Sequence, residues 1–193
     1  MPNWCFTSLV VRGDENEVRD LYEKMKSLED RKETLVPNGF GKTWLGNLVT
    51  ILGGDWDEVR CRGEWFNLAL GDYECVLRFD TESAWTYPEE LIDFLLEKYP
   101  GIDIYFSAEE PSMAIYLTND VDGLYFADRY VLSQEDSDPE YYSAGEEKEF
   151  LRDLSEMIGK EINNLDDVRK EVCEYNSEHE DNCIDAQIYD VIK

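Results

Sequence analysis

The apolar residues of this chain change their period several times between Trp4 and Phe106, and that order limits the folds open to it. Trp4 to Arg12 is rich in aromatic and β-branched residues and stops at Gly13-Asp14, which predicts a strand. Val18, Leu21, Tyr22, Met25 and Leu28 then fall at helical spacing, with Asp14 placed as the N-cap. Glu29 to Lys42 is a polar connection containing proline and glycine. Trp44, Leu45, Leu48, Val49 and Leu52 predict a short helix ended by Gly53-Gly54. Val59 to Leu70 and Tyr73 to Thr81 flank Gly71-Asp72, a two-residue hairpin signal, and Tyr73, Cys75, Leu77 and Phe79 share one face. Pro88 opens a helix with the stripe Leu91, Ile92, Leu95, Leu96 and Tyr99, stopped by Pro100-Gly101. Ile102, Ile104 and Phe106 alternate as the next strand. Met113, Ile115 and Leu117 alternate after Glu109-Glu110-Pro111, and a turn at Asp120–Gly123 leads to a strand from Leu124 to Leu132.

This order, β-α-(short α)-β-β-α-β followed by an extra hairpin, predicts an α+β fold. Its first part is the split βαβ pattern of a ferredoxin-like sandwich, an antiparallel sheet with helices on one face and the other face free. The character changes after Leu132. Residues 133–193 hold 19 acidic and 6 basic side chains, against 26 and 12 in residues 1–132. We therefore expect a core over 1–132 and an acidic C-terminal extension over 133–193, packed on or beside the core. Within the extension, Tyr141 to Gly159 reads as a helix with the stripe Phe150, Leu151, Leu154 and Ile158. Asn164 caps a second helix carrying Leu165, Val168 and Val172. Ile184, Ala186 and Ile188 alternate as a terminal strand, although Ile184, Ile188 and Val191 also suit a helical turn.

Charge is the extreme feature of the composition: the formal net charge is −27 in 193 residues. The chain is nevertheless no disordered acidic tail. Leu, Ile, Val and Phe make up 49 residues, a quarter of the chain, above the roughly 20% below which disorder is expected. A surface of this sign repels phosphates, which argues against direct binding of nucleic acid or of anionic membranes. It favours a cationic partner, either a basic protein groove or metal ions. No run approaches the ~18 apolar residues of a membrane span. The opening residues show no basic region followed by an apolar stretch, so no signal peptide is expected.

Five cysteines without a C-x-x-C spacing predict buried thiols in a reduced, cytoplasmic setting. The single histidine, His179, lies in the polar stretch Ser177–Asp181 and reads as a surface residue. One histidine rules out histidine-rich zinc sites. Gly41-Lys42-Thr43 matches the end of a P-loop, but Val36 stands where that loop needs its first glycine. No cofactor and no metal are expected.

Several motifs together resemble the YubB-type ferredoxin-like proteins. They are Pro2-Asn3-Trp4-Cys5, Gly53-Gly54-Asp55-Trp56, Cys61-Arg62-Gly63-Glu64-Trp65, the run from Phe79 to Trp85 with Pro88, and Glu109-Glu110-Pro111. The resemblance covers roughly residues 2–132 and leaves the tail outside. It implies a ferredoxin-like fold and an origin on a phage, plasmid or integrative element. The family is functionally uncharacterised, so the resemblance implies no catalytic residues.

Each candidate site has a competing structural reading. Glu109 and Glu110, with Asp103, have the chemistry of a carboxylate dyad or metal site, but neighbours in a strand point to opposite faces. The competing reading is a solvated strand end. Asp55-Trp56-Asp57-Glu58 reads as the start of a cation site or as a capped turn. Asp120-Val121-Asp122-Gly123 resembles an EF-hand start, yet its glycine comes early and Val131 stands where a bidentate Glu is needed, so a hairpin turn is expected. Trp4, Trp56, Trp65 and Trp85, with Arg62 between, form either a stacked ligand pocket or part of the core. The candidate pocket comprises Trp4, Arg62, Trp65, Trp85, Glu109 and Glu110.

The acidic candidates are Glu135, Asp136, Asp138, Glu140, Glu146, Glu147, Glu149 and Asp153. Glu146, Glu149 and Asp153 are spaced i, i+3 and i+7, which on a helix places carboxylates about 5–6 Å apart, a row able to imitate DNA phosphates at ~3.4 Å per strand. Solubility or a salt-adapted host explains the same charge without a partner. The first functional reading is a non-enzymatic, cytoplasmic mobile-element protein, an acidic DNA mimic that occupies the nucleic-acid groove of a host defence protein such as a restriction or CRISPR effector. A small binding module using the open sheet and the Trp/Arg cluster is the second reading. A metal-dependent hydrolase is the third. Monomer and dimer both stay open.

Overall fold

The strand and helix periods close into two units. The computed structural model describes residues 3–71, 75–134, 137–179 and 181–192. The readings that fell on Pro2, Asp72, Tyr73, Glu135 and Asp136 lie outside these residues. The chain is mixed α+β, with five α-helices among the described residues and mostly antiparallel strand pairing. It divides into Met1–Ile115 and Tyr116–Lys193. The boundary therefore falls before the strand that ends near Leu132, which belongs with the second unit and not with a core drawn to 132.

In the first unit, β1 (Trp4–Gly13), β2 (Gly63–Leu70), β3 (Val76–Ala84) and β4 (Ile102–Glu110) pair in the order β2-β3-β1-β4, each antiparallel to its neighbour. Alternation sets its two faces. Cys5, Thr7, Leu9 and Val11 of β1 are buried, as are Leu77, Phe79 and Thr81 of β3 and Ile104, Phe106 and Ala108 of β4, while Trp4, Phe6 and Arg12 are exposed. Leu9 sits opposite both Phe79 and Phe106, and full burial of such side chains contributes roughly 1.5–3 kcal/mol each.

Helix α1 (Glu15–Glu29) buries Val18, Leu21, Met25 and Leu28 and packs on β1, β2 and β3. Asp14 caps it as expected, accepting from the Asn16 and Glu17 N–H groups at 3.0 and 3.2 Å. α2 (Leu45–Ile51) packs between α1 and α3 (Glu89–Lys98), and α3 covers β4. One glycine is required by contact: at Gly13 (φ +149°) a Cβ would stand 2.1 Å from the Gly101 carbonyl oxygen.

In the second unit, β5 (Ile115–Thr118) pairs in parallel with β9 (Asp190–Val191). A separate antiparallel sheet has the order β7-β6-β8, formed by β7 (Glu140–Ser143), β6 (Asp128–Gln134) and β8 (Ile184–Ile188). The residues near 184–191 are thus strands and not a helical turn. α4 (Glu147–Ile158) packs on β6 and β7, and α5 (Leu165–Glu178), capped by Asn164, packs on β8 and α4. Phe150 is the centre of this core, stacked on Tyr130 at 4.9 Å and edge-on to Tyr142 at 5.7 Å.

Two expectations are corrected here. The hairpin read across Asp120–Gly123 does not form, because β5 pairs with β9 whereas β6 pairs with β7 and β8. The Asp120 carboxylate instead accepts from the N–H groups of Leu124, Tyr125 and Phe126, which holds the chain in a loop until Asp128. The helix read over 141–159 starts only at Glu147. Tyr141 and Tyr142 extend opposite Val131 and Tyr130, and a capping box between Ser143 and Glu146 sets the entry to α4.

Candidate functional site

The acidic residues converge where β6 and β7 meet α4. In the strand Glu140–Ser143, burial of Tyr142 directs its ring against Phe150 and leaves Glu140 exposed beside it. On α4, Asp153, Glu156 and Met157 fall at i, i+3 and i+4 and share one side of the helix. The result is a groove of about 490 Å³ whose lining includes the carboxylates of Asp138, Glu140, Asp153 and Glu156, with Leu132 and Met157 supplying apolar surface.

Its central feature is a hydrogen-bonding mismatch. The Tyr142 hydroxyl lies 2.9 Å from Glu140 Oε2 and 3.1 Å from Asp153 Oδ2. A phenol carries one proton and donates once, so two carboxylates share a single donor. Burial, and then the hydrogen bonds to Glu140 and Asp153, push the Tyr142 hydroxyl well above the ordinary tyrosine range, so it stays neutral. Asp153 is also paired with the exposed Arg152 at 2.9 Å. A group with several N–H donors, an ammonium or a guanidinium, supplies the donors that the hydroxyl lacks.

The other acidic candidates have different surroundings. Glu146 turns back to accept from the Ser143 N–H and hydroxyl, both at 2.8 Å, and these bonds hold its carboxyl below the usual range. It does not stand in an outward row with Glu149 and Asp153. Glu147 accepts from the Tyr130 hydroxyl at 3.3 Å, and Glu149 is exposed. Glu156 and Tyr142 were not among the residues singled out from sequence. The Asp153-Glu156-Met157 spacing is the signal that points to the first; the second is placed only by packing on Phe150.

The six residues of the Trp/Arg candidate pocket do not share one environment, although Trp4, Arg62 and Trp85 are close along the backbone: Ala84 pairs with Trp4 and donates its N–H to the Arg62 carbonyl oxygen. Trp65 is 1% exposed and belongs to the core, whereas Trp4 and Trp85 are 38% and 42% exposed. Trp4 packs edge-on against Phe40, and Trp85 (φ +78°) donates its backbone N–H to Asn3. Arg62 lines a small cleft with Arg60, Tyr87 and Glu90 at the start of α3. Glu110 is buried and accepts from the Met113 N–H at 2.5 Å, closing the turn after β4. Glu109 sits opposite Phe6 on the other face of the sheet, so strand alternation separates the two glutamates.

Asp55 accepts from the Asp57 N–H at 3.0 Å, a capped turn. Burial pushes the Cys5 and Cys61 thiols up to about 11, so both stay protonated near neutrality. His179 ends α5 with its ring stacked on Tyr175 at 4.0 Å. Among the described residues no three His, Cys, Asp or Glu side chains gather closely enough to hold a metal ion, and no helix is long and apolar enough to cross a membrane. No protein family, no curated protein and no solved structure matches the chain.

Proposed function

We propose that this is a cytoplasmic binding protein that captures a basic segment of a protein partner in the groove between β7 and α4. The single observation that carries the reading is the pair of carboxylates, Glu140 and Asp153, that meet at the one Tyr142 hydroxyl. A lysine or arginine head group entering there donates to both oxygens, while Leu132 and Met157 take its alkyl stem. The net charge of −27 speeds encounter with a basic surface and makes the association salt-sensitive.

Such a partner is a protein whose basic groove otherwise takes nucleic acid, and the binding is competitive, as in a DNA mimic directed at a host defence protein. For the first unit the proposal is a ferredoxin-like sandwich of the YubB type, as in mobile elements. The strand order β2-β3-β1-β4, with the helices on the face that buries Leu9, Phe79 and Phe106, supports that reading.

The test is titration of oligolysine into the full-length protein by calorimetry, at low salt and at about 0.15 M. The variant Glu140→Gln/Asp153→Asn keeps the shape and removes both charges. It should bind at least tenfold more weakly, about 1.4 kcal/mol. Equal affinity of variant and wild type at the higher salt overturns the groove as the binding site.

A further inference from the structure

The first unit presents a second surface, on the sheet face away from the helices, and it has a chemistry of its own. Phe6 on β1 and Phe66 on β2 are separated by the intervening β3, yet their rings approach to 5.9 Å at an interplanar angle of 50°. The two side chains therefore lean together across β3. Phe6 is 41% exposed, and Trp4, two residues before it on the same face, is 38% exposed.

Carboxylates frame the rings. Glu64 of β2 sits directly opposite Glu82 of β3, Glu82 opposite Phe6, and Phe6 opposite Glu109 of β4. Like charges directly opposed in a strand pair destabilise the sheet. Beside Phe66 runs a groove of about 630 Å³ lined also by Glu64, Glu82, Glu29 and Lys42. Lys42 is turned away to the Glu29 carbonyl oxygen and Glu64 accepts from the Thr43 hydroxyl at 3.3 Å, while none of the described ion pairs includes Glu64 or Glu82.

We propose that this face docks an arginine side chain of a protein partner. A guanidinium is planar: it stacks on phenyl rings with one face and offers paired N–H donors to a carboxylate along its edge. Tilted rings beside the opposed Glu64 and Glu82 supply both parts. A lysine ammonium meets the carboxylates but has no plane to lay on Phe6 and Phe66, so the site distinguishes arginine from lysine. Charge complementarity selects the occupant: three carboxylates of the groove outnumber its one lysine. This inference does not rest on the groove at Glu140 and Asp153, which takes either cation.

The experiment uses the full-length protein with backbone amides assigned by NMR. Two short peptides are titrated, identical except for arginine or lysine at two positions. The arginine peptide should shift the Phe6, Phe66 and Glu82 amides saturably, with at least threefold higher affinity than the lysine peptide. Phe6→Ala/Phe66→Ala should remove that preference, and Glu82→Gln, which leaves the rings in place, should weaken arginine binding at this face. Glu140→Gln/Asp153→Asn should leave the shifts at Phe6 and Phe66 unchanged, which separates the two sites. Equal affinities for the two peptides, or shifts at this face that survive in both variants, overturn the proposal.

Discussion

Asp120 shows how much a single carboxylate organises. It is 1% exposed and accepts from Leu124, Tyr125 and Phe126 at 3.0, 2.6 and 2.9 Å. Arg129, also buried, donates to the carbonyl oxygens of Asp120, Phe126 and Asp128. Burial alone pushes the Asp120 carboxyl up, but the three N–H groups and Arg129 outweigh it and hold the group below the usual range. A folded-state value below the unfolded one means that the folded chain binds fewer protons. The stabilisation is complete above the unfolded value of about 3.9 and is lost as pH falls through the lower folded value. Asp120→Ala should cost about 3 kcal/mol in urea denaturation at neutral pH, since it strands three N–H groups and removes the counter-charge of the buried Arg129 guanidinium, whose own hydrogen bonds go to backbone carbonyl oxygens. Asp120→Asn should cost less and should flatten the acid limb of the stability curve. An unchanged acid limb in the Asn variant assigns that limb to other carboxylates.

At the scale of elements, the capping box decides where β7 stops and α4 begins. Ser143 ends the strand, and Glu146 satisfies both its N–H and its hydroxyl. Ser143→Ala should destabilise the second unit by about 1 kcal/mol, read as a lowered thermal midpoint. Glu146→Gln should be nearly neutral, because glutamine accepts the same bonds. A midpoint unchanged in Ser143→Ala shows that packing of Phe150, Leu151 and Leu154 sets the start of α4 without the box. The same element explains the displaced helix start. Tyr141, Tyr142 and Phe150 fit a helical stripe on paper, but Tyr142 gains more by pairing opposite Tyr130 and meeting Phe150 edge-on.

For the molecule as a whole, the charge is a uniform cost to compactness. With 45 acidic and 18 basic residues, self-repulsion opposes folding. Raising salt from about 0.05 M to 0.5 M shortens the screening length from roughly 14 Å to 4 Å. The thermal midpoint should therefore rise by several degrees while oligolysine binding weakens. A midpoint that falls with salt shows that attractive pairs such as Arg19–Glu15 and Lys26–Glu29 outweigh the repulsion. Local periodicity was enough to place β1, α1 and α3 to within a residue or two, because alternation and the 3.6-residue stripe are properties of neighbouring residues, whereas β4, read over 102–106, runs on to Glu110. It was enough also for the caps at Asp14 and Asn164. Tertiary structure alone decided the pairings and the sites. Whether β6 joins β5 or β7 depends on competition between distant partners, and Asp120 settles it by holding the intervening loop. Trp4 and Trp65 look alike in sequence, but strand parity relative to the helix layer exposes one and buries the other. Glu140 and Asp153 lie on different elements, so no spacing rule joins them; they meet because Tyr142 of β7 packs edge-on against Phe150 of α4, a contact that exists only once the chain has folded.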